Sequence, residues 1–166
     1  MIITIVLTAA IAVVLMYVRV RFLDLMVKEI RSPFDFDETI ARLTSSIGSR
    51  KGWHVFNVVD QGGEIIRNGG DDVGRITVLQ YCHGALASRM FLADERKKIS
   101  VFSPKTMSVY QKNDGATYVS MMNGELMLLM ASGEMKEIIE DVSAEVKTIM
   151  SVFRKTPAAE PAGVNS

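Results

Sequence analysis

One dipeptide in the chain, Cys82-His83, sets a thiol beside an imidazole. Thiolate and imidazole are ligands for zinc, copper or haem iron. The pair falls between a β-prone run, Arg75–Tyr81, and a segment that reads as helix, Gly84–Ala93. Both groups are thereby expected near a helix N-terminus, where the dipole favours a thiolate. Cys82 and His83 are therefore the candidate cofactor-binding residues, and His54, the other histidine of the chain, joins them as a candidate metal ligand. A closed tetrahedral zinc site would need carboxylates or a partner chain in addition. The cofactor itself stays unknown, with metal or haem as the options. A plainer reading competes: Cys82 packs as a small hydrophobe, His83 is a turn residue, and His54 is a boundary histidine bonded to backbone. No Cys-x-x-Cys and no Cys-x-x-Cys-His motif strengthens the metal reading.

Other suggestive residues fit ordinary roles better. Met121, Met122, Met127 and Met130 cluster, and thioethers bind Cu(I), but the interleaved Leu126, Leu128 and Leu129 suit a flexible apolar surface for core or partner packing. Gly62-Gly63 and Gly69-Gly70 lack the spacing of a nucleotide loop, and no Walker lysine follows them. Asp71-Asp72 lacks the partners of a calcium loop. Glu95-Arg96-Lys97-Lys98 reads as a charged loop able to meet anionic lipid. No Ser-His-Asp set or nucleophile elbow is present, so no catalytic residue is assigned and the balance falls toward a protein without enzymatic activity.

The elements around these residues follow from periodicity and punctuation. Leu23, Met26, Val27 and Ile30 at helical spacing predict an amphipathic helix that Ser32-Pro33 stops. Asp35 or Asp37 is the expected N-cap of a helix to about Arg50, with Ile40, Leu43 and Ile47 on one face and Gly52 closing it. Trp53–Val59 reads as a strand, with His54 on the face of Phe56, and Gln61–Arg67 as a short helical turn. In the strand Arg75–Tyr81, Ile76 and Val78 share one face, with Tyr81 near the end, an alternation that suits a half-buried sheet. Val101-Phe102 is a candidate short strand. Thr106–Gln111 and Ala116–Met122 flank Asp114-Gly115, a hairpin signal of the turn with two positive φ angles. A last helix over Glu134–Arg154 carries apolar residues at a 3.6 period.

The 166 residues balance 19 Lys+Arg against 19 Asp+Glu, with 48% hydrophobic residues and a single cysteine. That cysteine count excludes a disulfide scaffold. Residues 1–31 hold four basic and two acidic groups, so the remainder has 15 and 17 and a net charge of −2. An acidic body argues against binding nucleic acid through its phosphates. Ile2–Val18 is uncharged and apolar, about 26 Å long as a helix. We read residues 1–22 as a single transmembrane helix anchoring the chain in the cell membrane. A cleaved signal peptide is the alternative, but no basic n-region precedes the run and bulky Val18-Arg19-Val20-Arg21 follows it. Arg19, Arg21, Lys28 and Arg31 on one side favour a cytoplasmic body over a periplasmic one. The organisation expected is anchor 1–22, juxtamembrane helix and linker 23–33, α+β domain 34–154 and disordered tail 155–166. The fold class is α+β, a small antiparallel sheet packed with helices behind one transmembrane helix.

The order of these elements resembles the "domain of unknown function 302" family. There a strand runs into Cys-Asn-Pro, followed by a Leu-Ala-bearing helix, a Leu-Pro-Cys element, a hairpin with an acidic-Gly turn and a long last helix. Here Val78–Arg89, Phe102-Ser103-Pro104-Lys105 and Asp114-Gly115 fit that order over about residues 35–153. The resemblance implies a compact α+β domain, often dimeric, with no settled activity. Two departures bear on chemistry: Cys-Asn-Pro is Cys82-His83-Gly84, and the second cysteine position holds Lys105. The reading favoured from sequence is a membrane-anchored, non-enzymatic binding or accessory module, acting through association with a second copy or a membrane-complex partner around Leu126–Met130. A redox, metal or haem module at Cys82 and His83 is the alternative.

Overall fold

The computed structural model describes residues 2–154, leaving aside the side chains at 2–5, 8, 9 and 23. Met1 and the tail expected from residue 155 onward lie outside the described residues. In chain order the elements are α1 (Ile2–Val20), α2 (Phe22–Met26), β1 (Val27–Arg31), α3 (Phe36–Gly48), β2 (Trp53–Asp60), α4 (Gln61–Arg67), β3 (Ile76–His83) and α5 (Gly84–Phe91). A 3₁₀ segment, Asp94–Phe102, leads to β4 (Lys105–Gln111), β5 (Thr117–Met122), α6 (Gly124–Met130) and α7 (Gly133–Ile149), with a 3₁₀ turn Met150–Phe153 after it.

The five strands form one antiparallel sheet in the order β1-β5-β4-β3-β2. Alternation decides which side is buried. Thr77, Leu79 and Tyr81 of β3, Met107 and Val109 of β4, and Val119 and Met121 of β5 all turn inward. Helix α3 covers that side with Phe36, Thr39, Leu43 and Ile47, a stripe at helical spacing. Asp35 caps α3 by accepting from Glu38 N at 2.8 Å. Helix α7 lays Val142, Val146 and Ile149 against the same core. Ser46 Oγ donates to Ile149 O at 3.0 Å, and Arg50 grips Glu145 through two nitrogens at 2.8–2.9 Å, so α3 and α7 are fixed to each other.

A helix does occupy the N-terminal segment, and its described apolar side chains are exposed, Leu15 at 64% and Val20 at 72%. Among the described residues no helix is long and apolar enough to cross a membrane. The amphipathic helix expected over Leu23–Ile30 is cut short at Met26. Asn123 ends it: its N–H donates to Met26 O at 2.8 Å and its Nδ2 to Leu25 O at 2.9 Å. Val27–Arg31 then pairs with Met122–Tyr118 of β5 as the edge strand. The juxtamembrane stretch 23–33 is thus part helix and part sheet, and long-range pairing overrides its helical spacing.

In β3 Ile76 and Val78 do share a face, which is half-buried, while Thr77, Leu79 and Tyr81 form the buried one. Other expectations are corrected. Glu95–Lys98 and Val101-Phe102 belong to the 3₁₀ segment, neither loop nor strand. The β4–β5 hairpin forms, but only Gly115 takes positive φ, at +78°, since no other residue type in the described chain does. Gly115 N donates to Lys112 O at 2.9 Å and Lys112 N to Ala116 O at 3.0 Å, a three-residue loop closed by a left-handed glycine. Ser49, not Gly52, caps α3. The last helix tightens into a 3₁₀ turn at Met150.

Candidate functional site

The strand register brings two of the three expected metal ligands together, since His54 stands opposite Cys82 across β2 and β3. Each of the three has a local role. His83 Nδ1 accepts from Leu86 N at 3.2 Å, making His83 the N-cap of α5. Its ring meets Trp53 edge-on at 5.4 Å. Cys82 is buried, with Sγ 3.5 Å from Ser103 Oγ. His54 is exposed and packs on Phe56, ring centroids 4.4 Å apart, as its sheet face predicts. Among the described residues no group of three His, Cys, Asp or Glu side chains could hold a metal ion.

Cys82 and His83 also line a cavity, which His54 does not. The inner face of the sheet, α5, the 3₁₀ segment, α6 and α7 surround this cavity of about 560 Å³. Methionines build much of its wall: Met90 from α5, Met127 and Met130 from α6, Met135 and Met150 from the C-terminal helix, Met121 from β5. Helix α6 forms because Asn123 caps it, accepting from Glu125 N at 3.2 Å, and it ends without a polar face on its last turn. Leu129 and Met130 there remain more than four-fifths exposed. The methionine cluster read from the sequence as core or partner packing is therefore the wall and lip of a cavity.

Several polar side chains line it, and Trp53, Tyr81 and Lys105 are neighbours there. Tyr81 is fully buried, and its hydroxyl has no hydrogen-bond partner. Trp53 is 5% exposed, and its Nε1 is likewise unpartnered. The two rings lie 5.6 Å apart. Lys105 stands directly opposite Tyr81 in the β3–β4 register. Burial pushes the Lys105 ammonium pKa down, and the nearby Cys82 opposes this less strongly. None of the ion pairs of the described residues includes Lys105. Burial also holds the Tyr81 phenol well above its usual range, so it stays protonated and able to donate. Arg96 adds a buried, unpartnered Nε while its Nη1 holds Glu134 at 2.9 Å. Buried polar atoms normally find partners, so donors left over in the wall of a cavity can pair with whatever occupies it.

Sequence reasoning passed over Trp53, Tyr81 and Lys105. One signal was present in β4, where Lys105, Met107 and Val109 alternate. The period of the strand sends a lysine to the side of two fully buried apolar residues.

The chain matches the family model described as domain of unknown function DUF302 over residues 28–153. A solved structure similar to it is that of an uncharacterized conserved DUF302 protein from Bacillus stearothermophilus. The two share 24% identity with a TM-score of 0.66, over 78% of this chain and 98% of that one. That likeness concerns the fold. No curated protein matches the chain. The family match includes β1 and runs to the 3₁₀ turn after α7, the same extent as the sheet and its covering helices. The chain belongs to the DUF302 family.

Proposed function

We propose that the protein is a membrane-anchored, non-enzymatic binding module whose site is the cavity between the sheet and α5, α6 and α7. The observation that carries this is the cavity itself: about 560 Å³, walled by methionine and aliphatic side chains, with unpartnered polar atoms among its lining residues. Small-molecule sites are mostly apolar hollows of about this size with a few placed polar groups. Anchoring rests on Ile2–Val18, an uncharged apolar run within helix α1. The cavity adjoins that end of the chain, since Met26 lines it and Asn123 ties the end of α2 to the start of α6. The body is assigned to the cytoplasmic side on the basic residues after the run. Association with a second copy or a membrane partner is assigned to the exposed lip, Leu129 and Met130.

The test has two parts. The full chain should stay in the membrane pellet after an alkaline carbonate wash, while the chain lacking residues 1–22 should be released. In phosphatidylcholine vesicles, a neutral brominated dodecanol should quench Trp53, the single tryptophan, with saturation. Release of the full chain removes the anchor. Quenching that saturates neither with this alcohol nor with its carboxylate analogue removes the binding site.

A further inference from the structure

We propose that the cavity takes an amphipathic anion, a molecule with an apolar body and a negatively charged oxygen head of the fatty-acid or acyl-phosphate class. The inference rests on the binding role proposed above and adds the class of ligand. Trp53 Nε1, Arg96 Nε and the Lys105 ammonium are donors only, and Tyr81 Oη has a proton to give. A head made of acceptors would pair with them, whereas a cationic head would leave them orphaned and face Lys105 as a like charge. Of the acidic side chains at the wall, Glu125 lies 3.9 Å from the Lys147 ammonium. Glu95 is exposed, and Lys28 and Lys98 at the wall outnumber it. The charge of the site is therefore net basic. Beyond the head, Met90, Met127 and Met135 offer unbranched, deformable side chains, which suit acyl chains of more than one length.

Trp53 lies in the wall, so quenching reads occupancy directly. The full chain in phosphatidylcholine vesicles is titrated with brominated dodecanoate, brominated dodecanol and a brominated dodecyltrimethylammonium. The expected result is saturable quenching by the acid, about tenfold or more tighter than by the alcohol, and none by the cation. Lys105→Met, which keeps the site apolar, should abolish that preference for the acid. Tyr81→Phe, which removes one hydroxyl, should weaken the acid and spare the alcohol, and it serves if Lys105→Met does not fold. A brominated phosphatidic acid placed in the vesicles distinguishes the source: saturable quenching there that Lys105→Met removes assigns a lipid phosphate, and quenching by dodecanoate alone assigns a free carboxylate. Equal binding of acid and alcohol in the wild-type chain overturns the inference and leaves the binding role standing. Saturable quenching by the cation overturns it too. No saturable quenching by any of the probes removes both.

Discussion

Tyr81 and Lys105 stand directly opposite each other on neighbouring strands, both on the side of the sheet that the helices cover. A buried phenol without a hydrogen-bond partner and a half-buried ammonium that no ion pair of the described residues includes thus meet in the wall of a methionine-rich cavity. Opposed residues on a sheet have Cβ atoms about 5 Å apart, close enough for one small head group to meet both. Neither group aids folding there, because an unmatched polar atom costs free energy when buried.

Lys105→Met should therefore stabilise the empty protein, by about 1–2 kcal/mol, as an apolar side chain of similar length replaces a buried cation. The effect carries a pH signature. Burial lowers the folded-state pKa of Lys105 below its ordinary 10.5, so the unfolded chain binds the extra proton between those two values. Wild-type stability should rise relative to the variant as pH increases through that window, and the penalty should be fully present below it. Urea unfolding of both proteins across alkaline pH measures the difference. A constant gap across pH would show that Lys105 is no more burdened folded than unfolded.

Gly52 should be irreplaceable. Its φ of +82° is left-handed, and an added Cβ would lie 2.6 Å from His83 Nε2. Gly52→Ala should cost about 1–3 kcal/mol and displace the ring that caps α5. Chemical denaturation gives the loss, and Trp53 emission reports the shift, since the His83 ring lies edge-on to it at 5.4 Å.

The edge strand makes an acid-sensitive contact. Glu29 of β1 reaches across β5 to accept hydrogen bonds from Tyr110 and, at 2.9 Å, from Lys112. These two bonds, the tyrosine's first, hold the Glu29 carboxyl below its ordinary range. A depressed carboxyl adds stability that is present above the unfolded value of about 4.5 and lost as pH falls through the folded one. Glu29→Gln should therefore lower stability at neutral pH and flatten part of the acid limb of the stability curve, the difference from wild type shrinking as pH falls. Hydrogen exchange on Val27–Arg31 is the measurement, because opening of β1 should precede global unfolding.

The core was legible from sequence, and the cavity was not. Leu43 and Ile47 repeat at helical spacing, and both are fully buried. Asp35 caps α3 as its type and position predict. Patterns of this kind are local, so they survive folding. Val27–Arg31 failed because Met26, Val27 and Ile30 fit a helix, while the partner that wins the segment, β5, lies far along the chain. Tyr81 and Lys105 failed for the same reason: their meeting is a property of register, set by strand pairing and invisible in either segment alone. Cys82 and His83 drew attention through residue type; both line the cavity, where His83 caps α5 and Cys82 lies beside Ser103.

The anchor proposed above offers a last prediction, and the fold alters the charges that enter it. Four basic residues follow the apolar run, Arg19, Arg21, Lys28 and Arg31. Arg21 is paired with Asp24 at 2.8 Å, and Lys28 and Arg31 sit in β1 of the folded body. Acidic neighbours contribute little to topology, and of the four basic residues only Arg19 and Arg21 lie outside the folded sheet, so they are the pair to test. Replacing both with Gln should reduce the fraction of chains whose body faces the cytoplasm, and adding two lysines just before Ile2 should invert it. A C-terminal reporter active on one side of the membrane only reads the outcome. An unchanged ratio in both variants would mean that the folded body, rather than the basic collar, decides which side it occupies.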